Sequence, residues 1–226
     1  MRSHSSTVTA IGFSQSTCFP ALSPRMVNSA CMEFGKIKTF ESSNCQDVKA
    51  PNIRLSGPLG GGPVGDVGIY SINAARYVIG EEPIEVSAMS DQPKDDPRFR
   101  EVPESVTFLL RYPSGALANC TASFGTSESR RYRVHCTEGW IEMDPAFSYR
   151  GLRLRTKRGE GRGPNPAEAT EHLIEPVDHF AAEMDHFSDC ILHDAKLRTP
   201  GEMGLADIRI LTAINEAART GRTVKL

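Results

Sequence analysis

Residues 57–77 read GPLGGGPVGDVGIYSINAARY, and two folds compete for them. Gly60, Gly62 and Gly65 spell G-x-G-x-x-G, the pattern of a dinucleotide-binding turn, which needs a strand running into the first glycine and a helix opening behind it. The strand is missing: the preceding APNIRLSGPL is interrupted by Pro51 and Pro58, and the nearest strand pattern, KIKTFESSN at 36–44, lies well upstream. Glu81, Glu82 and Glu85 follow at the distance of a ribose-binding acid, but any EEP stretch supplies that. The helix is better founded, because Pro63 suits a first helical position and Asp66 the first turn. The stretch therefore predicts a helix over 63–79 and no nucleotide turn.

At about 100° per residue, Asp66, Tyr70, Asn73 and Tyr77 fall in one narrow stripe, while Val64, Gly68, Ile72, Ala75, Val78 and Ile79 gather opposite. A surface helix normally shows water a mixture of Lys, Glu and Ser; this one shows a carboxylate, two phenols and an amide, groups that bind a polyhydroxylated ligand. Asp66 can orient a ligand hydroxyl while Tyr70 exchanges its proton. A phenol with a reference pKa of about 10 is a poor base near neutrality, so Tyr70 needs a neighbouring cation. No lysine lies on the helix. The alternative reading is that Asp66 complements the helix dipole and the tyrosines lie along a domain edge with only their tips wet.

Around this helix the pattern turns to strands. KIKTFESSN at 36–44 precedes it; IEVSAMS at 84–90, SVTFLLRY at 105–112 and GALANCTASF at 115–124 follow, then RRYRVHCT at 130–137, WIEMD at 140–144 and GLRLRTK at 151–157. Tyr112, Pro113, Ser114 and Gly115 form a natural hairpin turn. Short links imply antiparallel pairing rather than parallel crossovers. DHFAAEMDHFSDCILHD at 178–194 reads as an amphipathic helix with Phe180, Met184, Phe187 and Ile191 near one face. A last helix starts at a capping box of Thr199 and Glu202 with Pro200 first, and stops at Gly221. The fold class is α+β: a mostly antiparallel open sheet with helices packed on one face. The other face, carrying Val106, Phe108 and Leu110 on one strand and Leu117, Asn119 and Thr121 on its neighbour, is expected to pair two copies in a homodimer.

Residues 1–34 are rich in Ser and Thr, hold no acid before Glu33, and form neither an amphipathic transit helix nor a secretory apolar run. They read as a poorly ordered leader or remnant before a domain spanning 35–226. The basic, then Gly- and Pro-rich stretch at 150–166 reads as a solvated loop.

Charge excludes some partners. Twenty-six Lys plus Arg face 28 Asp plus Glu, so no overall field favours nucleic acid or an anionic membrane, and no apolar run reaches membrane-spanning length. The six cysteines at 18, 31, 45, 120, 136 and 190 show no zinc or disulfide spacing, which fits a reducing, cytoplasmic setting with Cys120, Cys136 and Cys190 as small buried side chains. His172, His179, His186 and His193 recur every seven residues. On one helix they would stand about 10 Å apart, too far to share a metal ion, so a solvated or interfacial stripe is expected.

The run GGGPVGDVGIYSINAARYVIGEEPIEV and the closing RTPGEMGLADIRILTAINEAARTGR resemble the second domain of the glucose-fructose oxidoreductase, inositol dehydrogenase and MocA family, in particular its glucose-fructose oxidoreductase-like branch, over about residues 35–222. The resemblance implies an NAD(P)-dependent oxidoreductase acting on a sugar or cyclic polyol. It further implies an open sheet like that of the glyceraldehyde-3-phosphate dehydrogenase C-terminal domain, with the Asp66 and Tyr70 helix lining the substrate pocket and the Tyr70 position serving proton transfer. It carries over Asp66 and Tyr70 as catalytic and Asn73 and Tyr77 as substrate-binding residues. The family's Glu-Lys-Pro lysine is absent, as is a strand-glycine-helix unit before residue 35, where only 34 residues stand in place of the roughly 120 a nucleotide domain needs. NAD(P) is thus expected from protein outside this chain. The alternative is a non-catalytic sugar-binding or dimerisation module.

Overall fold

The computed structural model describes residues 34–159, 169–174 and 176–226. Among the described residues, nine strands form one sheet in the order β8-β7-β6-β5-β1-β4-β3-β2-β9. β1 (Ile37–Asp47) precedes helix α1 (Ile69–Ile79); β2 (Glu85–Asp91), β3 (Ser105–Arg111), β4 (Leu117–Ser123), β5 (Gly125–Cys136), β6 (Gly139–Met143), β7 (Leu154–Arg158) and β8 (Thr170–His172) follow. Helices α2 (His179–His193) and α3 (Gly201–Thr220) and the short β9 (Val224–Lys225) close the chain. Every pairing is antiparallel except β1 with β4. The α+β class and the open sheet are as the alternation of strands indicates; the single parallel pair is not, because β1 reaches β4 across the intervening helix and hairpin rather than through a short link.

Alternation assigns the faces. On β3, Val106, Phe108 and Leu110 are buried and Thr107, Leu109 and Arg111 exposed; on β4, Ala118 and Cys120 are buried while Leu117 and Asn119 are exposed. Val106, Phe108 and Leu110 therefore belong to the core and not to the open face where the sequence reading put them. The register pairs Leu109 with Asn119 and Thr107 with Thr121, so these residues share the open face, and a one-residue phase error had joined residues from two sides.

The core fills the space between the other face and two helices. Ile72, Ala75 and Ile79 of α1 and Ile210, Ala213, Ile214 and Ala217 of α3 pack with Phe40, Phe108, Leu110 and Val134 of the sheet. Phe34, the last residue of the stretch read as a leader, is itself in this core; residues 1–33 lie outside the described residues, as does most of the Gly- and Pro-rich part of 150–166. The Tyr112–Ala116 turn forms as expected, with Gly115 at φ 85° donating its N–H to Tyr112 at 2.9 Å. Cys120 is fully buried, and burial pushes its thiol pKa up.

Two terminal signals differ. Helix α3 begins at Gly201 with Pro200 in the capping position and no side-chain cap; this start one residue later moves Glu202 to the second helical position, out of capping-box register with Thr199. His172 lies in β8 and hydrogen-bonds Thr156 at 2.7 Å, so only three of the four spaced histidines share a helix. The α3 stop at Gly221, φ 65°, is as expected.

Candidate functional site

The Gly60–Gly62 turn is not an anion cradle. Two short 3-10 turns, Ile53–Leu55 and Gly57–Leu59, precede Gly60 where a strand would be required. The amides of Gly60, Gly61 and Gly62 donate to the carbonyls of Gly57, Ser56 and Arg54 at 3.0, 2.8 and 2.9 Å, so none is left for a phosphate. A Cβ on Gly61 would stand 2.5 Å from the Arg54 carbonyl oxygen, which is why a glycine is needed there. The acids beyond the helix are also engaged: Glu81 accepts from the Ser114 amide at 3.0 Å, Glu82 binds Arg76, and Glu85 stands 3.7 Å from Arg111.

The folded-back loop delivers Arg54 to the helix. Its Nε donates to Asp66 Oδ2 at 2.6 Å, and Gln46 Nε2 reaches the same oxygen at 3.3 Å. Asp66 does not sit in an α-helical turn: Val64–Gly68 is a π-helical turn, and regular α geometry begins at Ile69. A π turn admits an extra residue and rotates what precedes it, so the uniform 100° spacing holds for Tyr70, Asn73 and Tyr77 but not back to Asp66. Three alternate residues of β1 support this region from beneath. Ser42 Oγ lies 2.7 Å from Ser71 Oγ, Asn44 Nδ2 donates to the Val67 carbonyl at 3.0 Å, and Gln46 holds Asp66. Buried Asn44 thus satisfies a carbonyl within the irregular turn.

Tyr70 and Tyr77 are half-buried on α1. The Tyr70 ring rests on Phe147 at 6.0 Å, Phe147 on Tyr132 at 6.0 Å, and Tyr132 stacks on Phe40 at 5.3 Å, an aromatic series that ties the phenol to the core. Burial pushes the Tyr77 phenol up to about 12, with the charge of Arg198 partly opposing it. Asn73 differs from its neighbours: it is buried, and its Nδ2 donates to Asp207 Oδ2 of α3 at 3.0 Å. Asp207 also binds Arg76, whose guanidinium makes two further bonds to Glu82 at 2.6 and 2.7 Å. Desolvation alone would lower the Arg76 pKa, but the bonds to Glu82 and the charge of Asp207 hold it raised.

Residues 30–142 match the family described as GFO/IDH/MocA C-terminal domain. The chain belongs to the GFO/IDH/MocA family. Among the relatives of this GFO/IDH/MocA chain, D-xylose 1-dehydrogenase [NADP(+)] of Haloarcula marismortui is 33% identical over 76% of this chain and 46% of its own length. D-xylose 1-dehydrogenase (NADP(+)) 2 of Haloferax volcanii is 30% identical over 92% of this chain and 62% of its own. The crystal structure of an aldose-aldose oxidoreductase from Caulobacter crescentus, complexed with glycerol, superposes with a TM-score of 0.81 at 39% identity, covering 89% of this chain and 58% of that one. The chain thus spans about half the length of the curated relatives it matches.

Reading the sequence missed Arg54 and Gln46. Arg54 stands in RLSG, a stretch read only as a failed strand, and its approach depends on the loop folding back. Gln46 had a visible signal, since Ser42, Asn44 and Gln46 alternate as polar residues on the strand face that otherwise carries Phe40. Among the described residues, no group of three or more His, Cys, Asp or Glu side chains could hold a metal ion, and no helix is long and apolar enough to cross a membrane.

Proposed function

We propose that this chain is the substrate-binding half of an NAD(P)-dependent oxidoreductase acting on a hydroxyl or carbonyl of a sugar or cyclic polyol. The observation that carries the reading is the wet edge of α1, where a carboxylate gripped by Arg54 and Gln46 stands one turn before a half-exposed phenol anchored on Phe147, in a chain one-third identical to a D-xylose dehydrogenase. Asp66, aimed by its two partners, accepts a hydrogen bond from a sugar hydroxyl. Tyr70 exchanges a proton with the oxygen of the reacting carbon. Tyr77 stays neutral across the physiological range and donates to a further hydroxyl. Asn73 acts on the ligand through its free amide oxygen or by fixing the pitch of α1 against α3.

The amides of Gly60, Gly61 and Gly62 are already bonded to carbonyls, which supports assigning hydride carriage by NAD(P) to protein outside this chain. The exposed side of the sheet, with Leu109 and Leu117 about half exposed amid polar neighbours, suits a homodimer. The reading is tested by assembling the chain with a nucleotide-binding domain of the family and assaying sugar-dependent NADP reduction. Tyr70→Phe, which keeps the ring on Phe147 and removes the proton, should lower kcat about 100-fold with KM little changed. Unaltered kcat would remove Tyr70 from the chemistry.

A further inference from the structure

Arginines with a structural task in this fold use their fork. Arg76 donates from Nε and Nη2 to Glu82 and from Nη1 to Met203 and Asp207. Arg98 engages Asp96, Asp47 and the Val48 carbonyl through all three nitrogens, and Arg153 closes a two-point contact on Glu171. The pair at the candidate site is left open. Arg54 gives Asp66 its Nε–H alone, at 2.6 Å to Oδ2, and Gln46 comes to that same oxygen at 3.3 Å. Among the described residues, nothing accepts from the Nη groups of Arg54 and nothing donates to Asp66 Oδ1. With side chains 44 and 31% exposed, these open donors and the open acceptor meet solvent side by side.

Both members are also held from behind. The Arg54 amide donates to Asn52 Oδ1 at 3.0 Å and its carbonyl accepts from Gly62 at 2.9 Å, while buried Asn44 fixes the turn that carries Asp66 through the Val67 carbonyl. From this geometry we infer that Arg54 and Asp66 form a subsite for a vicinal diol. One sugar hydroxyl donates to Asp66 Oδ1, and its neighbour on the adjoining carbon accepts from an Arg54 Nη. The inference rests on the oxidoreductase reading above and deepens it by naming the sugars the site takes: those with two adjacent free hydroxyls away from the carbon that Tyr70 serves. Each hydroxyl can give or take a hydrogen bond, so a fixed acceptor beside a fixed donor sorts the two into opposite roles. Both bonds are charge-assisted. Because the Nε contact sets the plane of the guanidinium, its remaining N–H groups are directional, which an ammonium would not match. A sugar lacking either hydroxyl leaves one of these groups unpaired, the means by which polar sites reject deoxy analogues. An anionic ligand is the poorer occupant, since it would meet the Asp66 carboxylate at the same spot.

The probes are D-xylose and its 2-, 3- and 4-deoxy analogues, titrated into the full chain and followed by NMR. Saturable binding of D-xylose is expected, with two analogues, deoxygenated at adjoining carbons, binding about tenfold more weakly. Arg54→Met should cancel the penalty for one of these two and leave the other, because only the hydroxyl facing Nη has lost its partner. Arg54→Lys, which keeps the charge without the fork, should do the same. The melting curve should stay in place, since a half-exposed ion pair contributes little to stability. An unchanged pattern of penalties in both variants would overturn the inference and leave the functional reading standing. So would a loss of affinity that is equal for all four sugars, which would reduce Arg54 to a prop for Asp66. A wild-type chain that binds none of the sugars would defeat the functional reading and the diol subsite together.

Discussion

Gly61 shows how much a single residue decides near the site. Its missing side chain lets the loop amides close onto the Arg54 and Ser56 carbonyls, and that closure presents Arg54 to Asp66. Gly61→Ala should destabilise the chain by about 1–3 kcal/mol, since backbone cannot retreat from a methyl as a flexible side chain can. Urea unfolding measures it, and a change under 0.5 kcal/mol would mean that the loop has another way to close. Single residues were also where sequence reading was least complete. Asp66, Tyr70 and Tyr77 could be picked out because their polarity breaks the pattern of an ordinary helix surface. Arg54 could not, because its partner lies 12 residues away across a turn whose geometry depends on which carbonyls the glycines find.

Among the elements, α1 and α3 are locked by a buried ionic group rather than by apolar contact alone. Arg76 and Asp207 have side chains only 7 and 12% exposed, and Asn73 shares the same carboxylate. Removing one member strands the other, so Asp207→Ala should cost about 3 kcal/mol, the low end for breaking a buried pair because Glu82 still holds Arg76. Asp207→Asn should cost less, and chemical denaturation of the two variants checks the order. Elements were the most legible scale: seven strands and three helices follow from periodicity, with boundaries shifted by a few residues. The π turn at Val64–Gly68 was hidden because nothing in VGDVG distinguishes one extra residue per turn; it follows from Asn44 waiting beneath with a donor for the Val67 carbonyl. The face of β3 was misassigned because Phe108 and Leu109 are both apolar, leaving only the register to say which points inward.

At the scale of the whole molecule, two measurements bear on how the domain holds together. Leu109→Asp, placed on the open side of the sheet, should shift a homodimer to monomer in sedimentation equilibrium; a wild-type chain that is monomeric at high concentration would remove the dimer altogether. The buried tyrosines should contribute to alkaline unfolding. Burial raises the Tyr77 pKa to about 12 and pushes Tyr112 and Tyr132 higher still. A raised folded value means the folded state holds its proton longer, so this stabilisation is complete below about pH 10 and is lost as pH climbs through 12. Absorbance at 295 nm should show these three phenols ionising only together with loss of structure; all five tyrosines titrating near pH 10 in an intact fold would contradict it. β4 and β5 are adjacent in the chain but not in the sheet, because β1 lies between them and bonds to both. The hairpins on either side share no ladder except through β1, so a strand that leaves the ribosome before both of them has to be captured between them, the kind of long-range contact that slows folding.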